Sequence, residues 1–185
     1  MRTQRAGQSA LLLLDAVELL TQERIAYAVI GAMAASVHGV VRASMDADAL
    51  LSITTQELGN LQQRFKAAGF ATELRRGDME DPIAAVLALS DAFQNRVDLL
   101  VGLRGLEPEA FSRAIDVSFQ GATLRVIGIE DFIAMKVFAG GPQDIADAQH
   151  ALMTAKAALN TDLLLRLATR YGRSTVAELR KLLTA

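Results

Sequence analysis

The chain has 185 residues, 51% hydrophobic and 22% charged, enough for one domain with a full core and no covalent staples. It has no cysteine and only two histidines, His38 and His150, which excludes disulfides, thiolate metal sites and cysteine nucleophiles and disfavours a histidine-rich zinc centre. A net charge of −2 argues against a protein that coats nucleic acid through bulk charge.

Arg2 and Arg5 precede an apolar run, as in a signal peptide, but Asp15 and Glu18 interrupt it. Leu12, Leu13, Ala16, Leu19 and Leu20 instead make one face of an amphipathic helix over residues 9–23. Residues 27–31 read as a short buried strand ended by Gly31, residues 33–37 as a small alanine-rich helix, and residues 45–53 as a second strand. Thr55 is the expected N-cap of a helix running to Ala68, with Gly69 closing it. Strands follow over 71–76, 83–89 and 96–101, with the polar turn cluster 77–82 between the first two. A short helix over 107–114 precedes a hairpin, 115–119 and 122–127, around Gln120-Gly121. From Ile129 the pattern is helical: 130–139, 142–157, 161–171 and 174–183, with Pro142 at a helix start where its missing N–H is harmless. The expected class is α+β, a mixed sheet flanked by helices with a C-terminal helical portion. Residues 1–128 would form the core and 129–185 the helical part, packed as one unit. No segment approaches the ~18 apolar residues of a membrane span, and a cytoplasmic location is expected.

Asp46 and Asp48 stand two apart on the second strand, so both side chains leave the same face, roughly 6–7 Å apart along the backbone. At that distance two ionised carboxylates repel by about 2–3 kcal/mol at an effective dielectric near 20. A cation would relieve this. Mg²⁺ (or Mn²⁺) is the natural candidate, being a hard ion that takes carboxylate and phosphate oxygens together. Asp98, between Val97 and Leu99 on another apolar strand, would complete a three-carboxylate seat suited to phosphoryl displacement. The alternative leaves Asp46 as a strand-start residue and Asp48 facing solvent. Gly31 ends a strand where a helix begins, so backbone there can approach phosphate closely. Arg42 could clamp phosphate through its planar fork or make a surface ion pair, with Ser44 beside it. His38 reads as a helix-end residue rather than a base. Lys136, in an otherwise apolar helix, must either snorkel or meet an anion. Asp144 and Asp147 share a helix face in the first two turns, where acids suit the helix dipole. Between Thr161 and Ala185 five basic side chains face two acidic ones, a net +3: a solvated helix face or a footprint for an anionic partner.

Taken in order, Val29-Ile-Gly31-Ala32, Arg42-Ala-Ser44-Met-Asp46-Ala-Asp48 and Val97-Asp98-Leu resemble the polymerase-β-like nucleotidyltransferase superfamily over roughly residues 25–150. Lys136 followed by Asp144-Ile-Ala-Asp147 resembles its AbiEii-type branch, found among type IV toxin–antitoxin systems. The resemblance implies that Asp46, Asp48 and Asp98 bind Mg²⁺. It implies that Gly31, Ala32, Arg42, Ser44 and Lys136 hold the NTP, and that Asp144 orients the acceptor or acts as base. The implied reaction moves an NMP to an acceptor hydroxyl on an RNA end, a protein or a small molecule. Two positions depart from the pattern: Ala32 replaces a second glycine or serine, and Gly140-Gly141-Pro142 stands where relatives often carry an arginine. They motivate the alternative of a non-catalytic nucleotide- or protein-binding module, such as the partner of an antitoxin.

Overall fold

The computed structural model describes residues 1–40, 44–155 and 158–184. Helix α1 (Ser9–Gln22) leads into β1 (Tyr27–Ile30), α2 (Gly31–Val37), β2 (Asp46–Leu51), α3 (Leu58–Ala67), β3 (Ala71–Arg76), β4 (Ile83–Ser90) and β5 (Arg96–Leu103). Then come α4 (Ala110–Arg113), β6 (Ile115–Phe119), β7 (Ala122–Val126), α5 (Ile129–Ala139), α6 (Pro142–Ala155), α7 (Thr161–Tyr171) and α8 (Arg173–Thr184). The strands form one mixed seven-stranded sheet in the order β3-β4-β5-β2-β1-β7-β6, flanked by helices. β2 pairs with β5 and β1 with β7 in parallel; β1 runs antiparallel to β2. The α+β architecture expected from the sequence is the one observed.

Alternation along the strands separates the two faces of the sheet. Ala47 and Ala49 on β2 and Val97 and Leu99 on β5 are buried, in one apolar cluster with Leu12, Leu13 and Leu20 of α1 and Leu58, Leu61 and Phe65 of α3. The interleaved residues Asp46, Asp48, Arg96 and Asp98 look to the opposite, more open face. The hairpin turn matches expectation, with Gln120 and Gly121 both at positive φ (50° and 77°), the backbone a tight two-residue turn requires.

Several boundaries differ from the sequence pattern, the starts of α3 and α2 among them. α3 begins at Leu58 rather than after Thr55. The Glu57 carboxylate accepts from both the Thr54 N–H and the Thr54 hydroxyl at 2.8 Å, which closes residues 55–57 into a turn ahead of the helix. α2 begins two residues early, because Gly31 (φ +63°) lets the chain pass from strand straight into helix.

The C-terminal helices are fastened to the sheet by buried charge. Glu107, in the loop after β5, accepts from Arg113 Nη1 at 2.6 Å and from Arg166 of α7 at 2.7 and 3.0 Å. Arg113 also forks onto the buried carboxylate of Asp131 in α5, at 2.8 and 2.7 Å. Arg170 donates to the Gly105 carbonyl, and Lys181 pairs with Glu178. Three of the five basic side chains of the tail are therefore spent within the molecule, which favours the solvated-face reading over an anion footprint. Among the described residues no helix is long and apolar enough to cross a membrane.

Hydrogen bonds from Arg166 and then Arg113 hold the Glu107 carboxyl at about 2, below its ordinary 4.5. A folded-state value below the unfolded one means the unfolded chain takes up the extra proton. The stabilisation is thus complete above about 4.5 and is lost as pH falls towards about 2. Burial also depresses His38, which adds a loss of the same sign beginning near 6.5. Glu107→Gln should destabilise the fold at neutral pH, because it removes the buried anion on which half-buried Arg113 and exposed Arg166 converge. It should also flatten the acid limb of stability, as read by urea denaturation at stepped pH.

Candidate active site

The acid face is assembled by strand register. β2 and β5 run side by side with Asp48 opposite Asp98 and Asp46 opposite Arg96. Residues opposite each other point the same way, so Asp46, Asp48 and Asp98 share one face, with Asp98 not turned away from the pair. Antiparallel pairing puts Ile30 opposite Asp48, so the β1–α2 turn lies against that carboxylate. A Cβ on Gly31 would sit 2.2 Å from Asp48 Oδ2. The residue is glycine because an acid occupies the space a side chain would need. Ala32 follows it and is buried.

The N-terminal segment pins the acid-bearing ends of both strands. The Ser9 hydroxyl donates to the Met45 carbonyl and accepts from the Arg96 N–H at 3.0 Å. The Gln8 N–H donates to Asn95 Oδ1 at 2.6 Å, and Asn95 Nδ2 donates to the Arg5 carbonyl. The Ser44 hydroxyl accepts from the Asp46 N–H at 3.3 Å, closing the turn that starts β2. A cleft of about 260 Å³ opens beside Asp46, between Ser9, Ala32, Met33, Ser36 and Ser44. Arg42 lies outside the described residues.

Asp98 has a partner that the motif reading missed. Arg96 Nε donates to its Oδ1 at 2.8 Å and Nη2 to its Oδ2 at 3.1 Å, with Arg75 Nη2 at 3.5 Å from Oδ2. Arg96 precedes Asp98 by two on a strand, so the period of two would have placed both on one face. Among the described residues no three carboxylates or imidazoles stand at metal-ligating spacing. The donors nevertheless suit a hard divalent cation: Asp46 and Asp48 offer carboxylate oxygens on one face, and the missing Cβ of Gly31 opens room at one of them.

Lys136 and Asp144 belong to a separate cluster joining α5 to α6. Lys136 Nζ lies 2.6 Å from Asp144 Oδ1 and 2.9 Å from Asp147 Oδ2, and Asp147 is fully buried. Gln143 Nε2 donates to Asp147 Oδ1 at 2.8 Å, and the ammonium sits 5.8 Å from the Phe132 ring centroid. Of the two outcomes open to a lysine on an apolar helix, the structure gives the anion-paired one. His38 caps α2 at its C-terminal end; its Nε2 lies 2.8 Å from the Ile127 carbonyl, and its ring lies 5.2 Å from that of Phe132. That is a packing role rather than that of a base.

Residues 10–182 match a family described as nucleotidyltransferase of unknown function (DUF6036). The chain belongs to that family. Its fold is shared by solved nucleotidyltransferases. The solution structure of the antibiotic-resistance factor ANT(2'')-Ia aligns at TM-score 0.61 and 13% identity, over 94% of this chain and 95% of that one. The crystal structure of ANT(2'')-Ia in complex with adenylyl-2''-tobramycin aligns at 0.59 and 15% identity, over 89% and 99%. An antigenic nucleotidyltransferase-like protein from Paracoccidioides brasiliensis aligns at 0.51 and 14% identity, over 97% and 93%. At such identities the likeness is one of fold. No curated protein matches the sequence.

Three substitutions test the acid face and the α5–α6 cluster of this DUF6036 chain as built. Gly31→Ala forces a methyl into the Asp48 carboxylate at a positive φ and should cost about 1–2 kcal/mol from the backbone alone, by chemical denaturation. Lys136→Met removes the ammonium that Asp147 is buried against and should cost about 3–5 kcal/mol. Asp144→Asn, at a half-exposed partner, should cost about 1 kcal/mol or less in the same assay.

Proposed function

We propose that this DUF6036 protein is a metal-dependent nucleotidyltransferase that moves an NMP from an NTP to an acceptor hydroxyl. The observation that carries the reading is the shared face of Asp46, Asp48 and Asp98 with Gly31 pressed against Asp48, in a chain of nucleotidyltransferase family and fold. Asp46 and Asp48, with Asp98 across the ladder, would hold Mg²⁺ or Mn²⁺, which supplies charge neutralisation of the triphosphate and polarises the acceptor hydroxyl. The side-chain-free backbone at Gly31, with Ala32, would give the phosphates a close approach, and Ser44 flanks the same strand start, with Arg42 two residues before it in the sequence. The acceptor oxygen bonds to the α-phosphorus as the α–β bridge breaks. Pyrophosphate leaves, and the hydroxyl proton passes to a carboxylate of the acid face. The chain's contribution is positioning and fixed charge rather than covalent chemistry.

A small hydroxylic molecule is the acceptor we favour: ANT(2'')-Ia, solved in complex with adenylyl-2''-tobramycin, shares the fold over nearly its whole length. An RNA end loses its one sequence argument where three of the five basic side chains of the tail pair internally. A type IV toxin role rests on the order of Lys136, Asp144 and Asp147. In that role Lys136 would meet phosphate only by exchanging two carboxylates for it, and Asp144 would then be released to orient the acceptor. The same pairing favours the second reading, a nucleotide- or protein-binding module without turnover.

Thermal melts with each NTP and Mg²⁺ separate the readings from an inert fold. A ligand at about 100 times its Kd adds about 2.7 kcal/mol. A metal-dependent shift lost in Asp46→Asn/Asp48→Asn, together with transfer of labelled nucleotide to an aminoglycoside or other polyol, is the expected result. A shift without transfer across acceptor classes selects the nucleotide-binding module, and no shift at millimolar NTP defeats both nucleotide readings and leaves the protein-binding module alone.

A further inference from the structure

Asp98 is already saturated by cations of the chain itself. Arg96 spans both of its oxygens, Arg75 approaches one of them, and Arg96 also stands opposite Asp46. A divalent ion drawn to Asp98 would meet a fixed positive charge, and the guanidinium and the ion want the same oxygens. Arg96 has somewhere else to go. On its far side a trough of about 250 Å³ runs over β4 to β3, floored by Ala71, Ala88 and Ser90 and edged by Glu73. Glu73 is opposite Ala88, and Ala88 opposite Asp98, so Glu73 lies on the same face two strands away. Its carboxylate is largely exposed, and its only cation contact among the described residues is Arg75, at 3.9 Å.

We propose that Arg96 is a positioning residue that competes with the divalent cation for Asp98, so that Asp46 and Asp48 alone form the resting metal seat. Asp98 joins only when Arg96 swings over the small side chains of β4 to Glu73. This rests on the metal seat of the proposed function and adds to it the residue that decides when the third carboxylate is available. It explains how three like-charged acids share a face without a metal, and why alanine and serine, rather than bulky residues, floor the neighbouring strand.

Mn²⁺ binding without nucleotide, followed by the EPR signal of the free ion, tests it. Arg96→Gln should bind Mn²⁺ at least about fivefold more tightly than the wild type, with Arg96→Lys in between. The gain should vanish in Arg96→Gln/Asp98→Asn, with circular dichroism confirming that each variant is folded. Unchanged or weaker binding in Arg96→Gln, where Asp46→Asn/Asp48→Asn still abolishes wild-type binding, overturns the competition and leaves the proposed function standing. A gain that persists without Asp98 overturns it too, because Arg96 would then act as a distant charge. Absence of a Mn²⁺ site in both the wild type and Arg96→Gln overturns this inference and the metal seat beneath it.

Discussion

The parallel pairing of β2 with β5 is the constraint on which the rest of the molecule turns. It sets Asp48 directly opposite Asp98, with Asp46 one step along. Like charges facing each other across a ladder are destabilising, so this register needs support. It receives it from two sides. Ser9, Gln8 and Asn95 tie the start of α1 to the ends of both strands, and Arg96 and Arg75 supply positive charge on the acid face itself. The buried face contributes the apolar energy, through α1 and α3 packed on the alternate residues of the same strands. The helices on one side thus hold in place charges that would otherwise push the strands apart on the other.

The C-terminal helices depend on a different device. Glu107, Arg113, Asp131 and Arg166 make a largely buried network, and Lys136 with Asp147 makes another. Buried ion pairs give little net stability over well-packed apolar residues, yet breaking one partner is expensive. They suit the job of fixing one arrangement of α5, α6 and α7 among several that apolar faces alone would tolerate. Gly105 serves the same end, its missing side chain leaving space for the Tyr171 ring, which stacks on Phe138 at 4.9 Å. Lys136, Arg166 and Arg170 carry charge that, in the sequence, looked available for phosphate or another anionic partner. In the fold it is largely committed to the protein.

Function follows from the acid face rather than from the fold. Fold likeness at 13–15% identity shows a shared arrangement of sheet and helices and does not by itself establish an acceptor. What this chain adds is a set of acids whose third member is held by a guanidinium and bordered by an open trough. Under the proposed function, the metal affinity of such a site would depend on residues outside the recognisable motif.

Local order was largely legible from the sequence. Apolar, β-branched runs bounded by turn residues located the strands, amphipathic spacing located α1, and Gln120-Gly121 marked the hairpin, because each depends on neighbours within a few residues. The common face of Asp46 and Asp48 was legible for the same reason. The position of Asp98 beside them was implied by resemblance and settled only by register, since pairing between strands fifty residues apart leaves no local signature. The Arg96–Asp98 fork had a readable signal in its spacing, but its strength depended on burial and on Arg75 arriving from β3. The partners of Glu107 and Lys136 had no such signal. A charged residue's role is fixed by which opposite charge the fold brings within about 3 Å of it, and that is a property of tertiary packing rather than of sequence order.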